Sequence, residues 1–280
     1  MKVELAASAG FCVGVQRAID MALEHAGKNE ELFMLGDIVH NDSVVELFKK
    51  KGVKKIKKLG RGAGRNLLIR AHGAPLSVYA AARKAGYKII DATCPMVKEI
   101  HEAARADEKK GRIVVLIGDE KHEEVLGIKG SLSKPPILID PSKPLPVRKL
   151  KQLKKVSIIV QSTQNSEKVS AIVSKISAIV PDVAFHDTIC VPTKNRQKEA
   201  KVLPLRNDAM VVVGSGSSAN TKRLYEISAN LNKRTYIINS TRDIDPGIFR
   251  GVRKVGVLAG ASTPDSIIKQ VVSFLRSIDP

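Results

Sequence analysis

Cys12, Cys94 and Cys190 are the cysteines of this 280-residue chain, and each stands at a similar point in its local sequence. Cys12 follows the apolar run Val3–Ala7 and a Gly-Phe step, and opens a helix-patterned stretch that runs from Val15 to Leu23. Cys94 follows Ile89-Ile90-Asp91-Ala92-Thr93 and precedes Pro95, a residue suited to the first helical position. Cys190 follows Asp187-Thr188-Ile189, with a helix expected from near Thr193. At a helix N-terminus, free N–H groups and the dipole favour thiolate, the form that binds metal. The three positions divide the chain into roughly equal stretches, so three strand-and-helix segments could each turn one thiolate toward a shared centre. Three thiolates would leave one iron of a 4Fe–4S cluster without a protein ligand, because such clusters are ordinarily held by four cysteines. An open metal position is a Lewis-acid seat for a substrate. A three-cysteine zinc site and buried apolar filler are the alternatives. The lack of close C-x-x-C pairs argues against structural zinc, and three thiols are too few for a disulfide framework.

A second group of residues suits an anion. His40-Asn41 follows Ile38-Val39, and His72-Gly73 follows the strand-like run Leu67–Arg70. The loop from Gly214 to Thr221, with Ser215, Ser217, Ser218 and Asn220, precedes a helix carrying Arg223. Gly260-Ala261-Ser262-Thr263-Pro264-Asp265 precedes the last helix. Small Gly/Ser/Thr loops that open helices present N–H groups and hydroxyls to phosphate, although the same residues also cap helices with no ligand present. His122-Glu123-Glu124, after Ile117-Gly118, offers a histidine and carboxylates for proton relay; the plain reading is an exposed acidic helix start. Gln161-Ser162-Thr163 offers hydroxyls at a strand end, or an N-cap for the next helix.

The elements that must position these groups alternate. Strands are expected at Val3–Ala7, Leu32–Leu35, Leu67–Arg70, Lys88–Ala92, Arg112–Ile117, Ile137–Ile139, Val156–Gln161, Val183–Thr188, Met210–Val213, Thr235–Asn239 and Val255–Leu258. Between most of them lie helical faces, such as Val169, Ile172, Val173, Ile176 and Val180, or Ile267, Val271, Phe274 and Leu275. Strands alternating with helices imply an α/β fold with parallel sheets, in which ligands gather beyond the strand C-termini.

Composition narrows the classes. Hydrophobic residues at 43% and charged residues at 27% suit a folded globular protein. The longest apolar runs, such as Ile113–Gly118, are too short to span a bilayer. The N-terminus has no signal-peptide core, so a cytoplasmic location is expected. A net charge of +19 favours a polyanionic partner or a phosphorylated substrate. The densest basic runs, Lys49 to Arg65 and Arg148 to Lys155, read most simply as solvated helix faces or loops. Aromatic residues at 4% and the absence of Trp give few platforms for stacking bases, so a nucleic-acid partner is not expected. A zinc deaminase reading of His122-x-Glu124 with Cys94 lacks the P-C-x-x-C that such enzymes use.

Taken in order, Gly10-Phe11-Cys12-Val13-Gly14-Val15, Val39-His40-Asn41, Ala71-His72-Gly73, Asp91-Ala92-Thr93-Cys94-Pro95, Thr193 with Arg196-Gln197, Asn220-Thr221 and Gly260-Ala261-Ser262-Thr263-Pro264-Asp265 resemble the 4-hydroxy-3-methylbut-2-enyl diphosphate reductase (LytB) family. The resemblance runs from Cys12 to Asp265. It implies three small α/β domains with parallel sheets, arranged pseudo-threefold around a central iron–sulfur cluster. The expected boundaries are 13–95, 96–188, and 189–280 joined by 1–12. It implies one 4Fe–4S cluster on Cys12, Cys94 and Cys190, with one open iron. It implies reductive removal of the hydroxyl from an allylic diphosphate, giving isopentenyl and dimethylallyl diphosphates, with electrons from an acidic ferredoxin or flavodoxin.

Residue by residue, the resemblance assigns His40, His72, Ser218, Asn220 and Ser262 to the diphosphate and places His122 in the pocket. Glu124 is the proton donor, Ser162 bonds it and the substrate hydroxyl, and Thr193 sits close to the substrate. The chain departs from the family pattern in three places. His-Pro-Glu reads His122-Glu123-Glu124, Gln-Thr-Thr reads Gln161-Ser162-Thr163, and Ala219 stands where Ser or Gly is usual. The first removes a rigid turn and adds an acidic group.

Overall fold

The computed structural model describes residues 1–26, 31–39 and 41–279. Among them, twelve strands form three four-stranded sheets, and every strand pairing is parallel. The elements run β1 (Lys2–Leu5), α1 (Val13–Ala26), β2 (Leu32–Leu35), α2 (Asp42–Lys50), β3 (Lys54–Ile56), β4 (Asn66–Ile69), α3 (Leu76–Lys84), β5 (Lys88–Asp91) and α4 (Pro95–Lys109). There follow β6 (Ile113–Ile117), α5 (Glu123–Lys129), β7 (Ile137–Ile139), α6 (Val147–Leu150), β8 (Lys155–Val160), α7 (Ser166–Ser177), β9 (Asp182–Phe185) and α8 (Val191–Val202). The chain ends with β10 (Ala209–Val213), α9 (Ala219–Leu231), β11 (Thr235–Ile238), β12 (Lys254–Ala259) and α10 (Asp265–Ser277).

The chain separates into two compact units. One comprises Met1–Gln16, Val39–Leu47 and Cys190–Pro280; the other comprises Arg17–Ile38 and Phe48–Ile189. The first holds the sheet β1-β12-β10-β11, and the second holds β3-β2-β4-β5 and β7-β6-β8-β9. One topology recurs. Within each sheet the second strand in sequence is an edge, the first and third are central, and the fourth is the other edge. In the first unit the fourth place is filled from the start of the chain, where β1 pairs with β12 in the register Val3↔Val255.

Burial explains these sheets. Along β10, Val211 and Val213 join Val255, Val257 and α10 residues Ile268, Val271 and Leu275 on one face. Met210 and Val212 join Ala200, Leu203, Leu224 and Ile227 on the other. A strand covered on both faces reads as an unbroken apolar run, which is why these strands stand out in sequence. The sheet of β6 and β8 is built alike, with Ile117, Val156, Ile158, Val169 and Ile176 on one side and Val114, Leu116, Ile100 and Ile128 on the other. Each Val, Leu, Ile or Met side chain among these contributes roughly 1.5–3 kcal/mol when fully buried.

Two expectations are corrected. The basic run from Lys49 contains a strand: Lys54 and Lys55 lie in β3, an exposed edge paired with β2. Lysines blunt an exposed edge against further pairing. The helix after Gln161-Ser162-Thr163 is capped by Asn165, whose side chain accepts from the N–H groups of Glu167 and Lys168 at 3.0 Å. Among the described residues no helix is long and apolar enough to cross a membrane.

Candidate active site

Each cysteine follows the fourth strand of a sheet and opens the next helix: Cys12 after β1, Cys94 after β5, Cys190 after β9. The polar candidates follow the central strands, where chain order reverses and doubly wound sheets bind ligands. His72 follows β4, His122 and Glu124 follow β6, Ser162 follows β8, Ser218 and Asn220 follow β10, and Ser262 follows β12. His40 follows β2 in sequence but lies outside the described residues.

In the first unit the Cys12 loop is held by α8, the helix that Cys190 caps. The Glu199 carboxylate accepts from the N–H groups of Ala7 at 2.7 Å and Ser8 at 3.1 Å. Arg196 Nη2 donates to the Gly10 carbonyl at 2.6 Å. Gly10 has φ +105°, and a Cβ there would sit 2.7 Å from Asp265 Oδ1, so the loop requires glycine. Cys12 N–H donates to the Ala261 carbonyl, and Cys12 Sγ accepts from Val15 N–H at 3.4 Å. Cys190 Sγ lies 3.1 Å from the hydroxyl of buried Thr193. Arg196 is itself buried. Burial pulls its pKa below the ordinary guanidinium value, while the nearby Cys12 and Cys190 thiols push it back up.

Thr193, Arg196, Gln197 and Ala200 form the buried stripe of α8. Polar residues at core spacing were the sequence signal that Arg196 works inside the protein. Glu199 carried no comparable signal.

The same unit holds a polar cradle. Ser218 caps α9, accepting weakly from Thr221 N–H at 3.4 Å. Ser262 is buried, and Asn220 is 4% exposed with neither side-chain atom hydrogen-bonded. A buried amide without partners is costly unless a ligand supplies them. A Cβ on Gly214 would meet the hydroxyls of Thr221 and Thr263 at 2.8 Å, and one on Gly260 would also strike Thr221, so both strand ends need glycine. Asn41 caps α2 through Oδ1, which accepts from Ser43 and Val44.

In the second unit Cys94 is set by a polar staple. Asp91 accepts from Thr93 N–H at 3.1 Å and from the Thr93 hydroxyl, and pairs with Lys98 at 2.7 Å. Burial alone would raise the Asp91 pKa, but Lys98 and Thr93 hold it below the usual carboxylate value. Cys94 N–H donates to the Ala71 carbonyl at 2.9 Å, which joins the cysteine turn to the His72 loop. Gly73, at φ +73°, lies over Thr93 and over His101 of α4. Burial lowers the His101 pKa to about 4, so that ring is neutral.

Glu124 is 1% exposed, not the surface acid that the plain reading of a helix start implies. Ser162 donates to it twice, from N–H to Oε1 at 2.6 Å and from the hydroxyl to Oε2 at 2.7 Å. Burial still pushes its pKa up to about 7, with the Asp119 charge adding to the rise. His122 caps α5 by accepting from Glu124 N–H, and its ring meets His72 edge to face at 5.3 Å. The second unit therefore brings together His72, His122, Glu124 and Ser162, with Cys94 on the adjoining turn. The first brings together Cys12, Cys190 and Thr193, and holds Ser218, Asn220 and Ser262 at neighbouring central strands.

The three cysteines form no disulfide and are partly exposed. Among the described residues no three His, Cys, Asp or Glu side chains gather closely enough for a single metal ion. By donor type and place, reduced thiols at helix N-termini with a buried cation beside two of them, the residues fit thiolate ligation of an iron–sulfur group.

A family model described as LytB protein matches residues 3–276. The chain is 36% identical over 280 residues to the 4-hydroxy-3-methylbut-2-enyl diphosphate reductase of Clostridioides difficile, covering 99% of this chain and 100% of that one. It is 40% identical over 281 residues to the protein of the same name from Aquifex aeolicus, covering 98% and 96%. Two solved structures are similar along the whole chain. One is an (E)-4-hydroxy-3-methyl-but-2-enyl diphosphate reductase described as the terminal enzyme of the non-mevalonate pathway, at TM-score 0.73, 39% identity and coverage of 99% and 100%. The other is the E-1-hydroxy-2-methyl-but-2-enyl-4-diphosphate reductase from Plasmodium falciparum, at TM-score 0.90, 29% identity and coverage of 99% and 88%.

Proposed function

The chain belongs to the LytB protein family, and from that premise and the site geometry we infer that it is a reductase of (E)-4-hydroxy-3-methylbut-2-enyl diphosphate. The reaction breaks the allylic C–O bond, forms a C–H bond and releases water, consuming two electrons and two protons. Its products are isopentenyl and dimethylallyl diphosphates. The observation that carries the reading at the level of chemistry is Glu124, a buried carboxyl with a pKa near neutrality, fixed at both oxygens by Ser162 beside two histidines.

Cys12, Cys94 and Cys190 hold one 4Fe–4S cluster in this reading, with one iron free of protein ligands. When bound, that group supplies electrons and a Lewis-acid iron. His40 and His72 provide imidazoles for the diphosphate, His122 lines the pocket, and Ser218, Asn220 and Ser262 provide hydroxyl and amide contacts. The unpartnered Asn220 amide supports this assignment. Binding energy from the diphosphate, remote from the bond that breaks, fixes the reacting carbon and oxygen in place. Ser162 and Thr193 orient the substrate's hydroxyl end, and Glu124 gives the proton that leaves with the hydroxyl as water. With a pKa of about 7, Glu124 is protonated often enough to donate at neutral pH and basic enough to be recharged.

The three domains are taken as 13–95, 96–188, and 189–280 with 1–12, a division supported by the recurring sheet topology. The electron donor is assigned as an acidic ferredoxin or flavodoxin, and the location as cytoplasmic.

Glu124→Gln tests the reading. The variant should keep its iron and lose roughly 10²–10⁴-fold in turnover, the usual worth of a positioned general acid. Near-normal turnover would transfer the proton to another group.

A further inference from the structure

Glu123 stands in sequence between His122 and Glu124, two residues proposed above for the substrate pocket, and so adds an acidic group to that turn. Its Oε1 accepts from Arg70 Nη1 at 3.0 Å, and the two side chains are only 26% and 20% exposed. Arg70 follows the last residue of β4 and lies two residues before His72. A Cβ on Gly36, at the end of β2, would lie 3.1 Å from Arg70 Nη1, so the guanidinium also covers that strand end. One cation therefore links the end of β4 to the start of α5 and borders the end of β2, and the residues two beyond Arg70 and one before Glu123 are His72 and His122, whose rings meet at 5.3 Å.

We propose that Arg70 and Glu123 form a charge-neutralising positioning pair for the diphosphate: Arg70 ties the His72 loop to the His122 turn and cancels a carboxylate that would otherwise repel the substrate. This rests on the diphosphate reading above. The pair has a directional consequence that an ordinary stabilising ion pair lacks. Removing Arg70 takes away the positive charge that faces the Glu123 carboxylate, makes the turn more negative and weakens binding of an anion. Removing the Glu123 charge leaves a free cation there and strengthens it, because opposite charges attract and like charges repel across a partly desolvated site. A purely structural ion pair would lower stability in both variants and move KM the same way in each, or not at all.

The test is steady-state kinetics of the iron-reconstituted enzyme with (E)-4-hydroxy-3-methylbut-2-enyl diphosphate and a chemical reductant. Arg70→Gln, Glu123→Gln and the double variant are compared at matched iron content. Arg70→Gln should raise KM about tenfold with kcat within a few-fold of the parent, a change that corresponds to about 1.4 kcal/mol. Glu123→Gln should lower KM about threefold, and the double variant should fall within about threefold of the parent. Both effects should shrink as salt is added. If Arg70→Gln does not fold, Glu123→Gln decides alone: an unchanged or raised KM overturns the proposal, as would both single variants raising KM. A parent enzyme that binds iron but leaves the substrate intact would instead overturn the diphosphate reading, which separates the two failures.

Discussion

Glu124 is where burial and chemistry meet. Its pKa in the folded protein is about 7, against roughly 4.3 for glutamate in an unfolded chain. Between these values the folded state holds a proton that the unfolded state has lost, so stability must fall as pH rises. The contribution is fully present below about pH 4 and gone above about pH 7, and it amounts to roughly 4 kcal/mol at most. Denaturant unfolding of the apoprotein across that window should show the decline, and Glu124→Gln should flatten it. Turnover should also fall as pH rises past about 7, since the donating form disappears. A stability curve that rises through this window would mean that Glu124 is ionised in the fold. Little of this was legible from residues alone. His122-Glu123-Glu124 looks like an exposed acidic turn, and only the fold buries the third residue against Ser162.

Helix α8 shows how an element converts local chemistry into a site. Cys190 caps it, and its inward face grips the Cys12 loop through Arg196 and Glu199. Arg196→Gln should leave both thiols in place but loosen that loop. It should bind iron at first and lose it to a chelator several-fold faster than the parent. Gly10→Ala adds a left-handed alanine that collides with Asp265, and should cost about 1–3 kcal/mol with a similar loss of iron. Equal iron retention in all three proteins would make the grip irrelevant to the ligands. At this scale the sequence is informative where burial is two-sided. Leu32–Leu35 and Ile137–Ile139 are strands over the expected residues, because both faces must be apolar. The Cys94 turn was visible because Pro95 marks a helix start. β3 was not visible: an edge strand needs no apolar face, and Lys54 and Lys55 pair with Glu31 and Asp37 at the surface. Nor does any local pattern tell β1 to pair with β12 across almost the whole chain; the family resemblance alone pointed there.

At the scale of the molecule the features are a threefold recurrence and a large positive charge. Each sheet offers a cysteine after an edge strand and polar groups after its central strands, so one βαβ-type plan positions both the proposed ligands and the proposed anion contacts. The charge of +19 should steer an acidic electron donor, and reduction by such a donor should slow several-fold as ionic strength rises from low salt to about 0.15 M. A small uncharged reductant should show no such dependence, and a salt-independent rate with the acidic donor would remove charge from the account. The central claim, that these thiols hold an iron–sulfur group which reduces an allylic diphosphate, is tested most directly by turnover. The protein is reconstituted anaerobically with iron and sulfide, given (E)-4-hydroxy-3-methylbut-2-enyl diphosphate and a chemical reductant, and its products are resolved by mass beside a Cys94→Ser control. The account predicts isopentenyl and dimethylallyl diphosphates from the parent, and neither bound iron–sulfur group nor product from the control. Iron-loaded parent protein that leaves the substrate unchanged, or a control with full iron and full turnover, would contradict it.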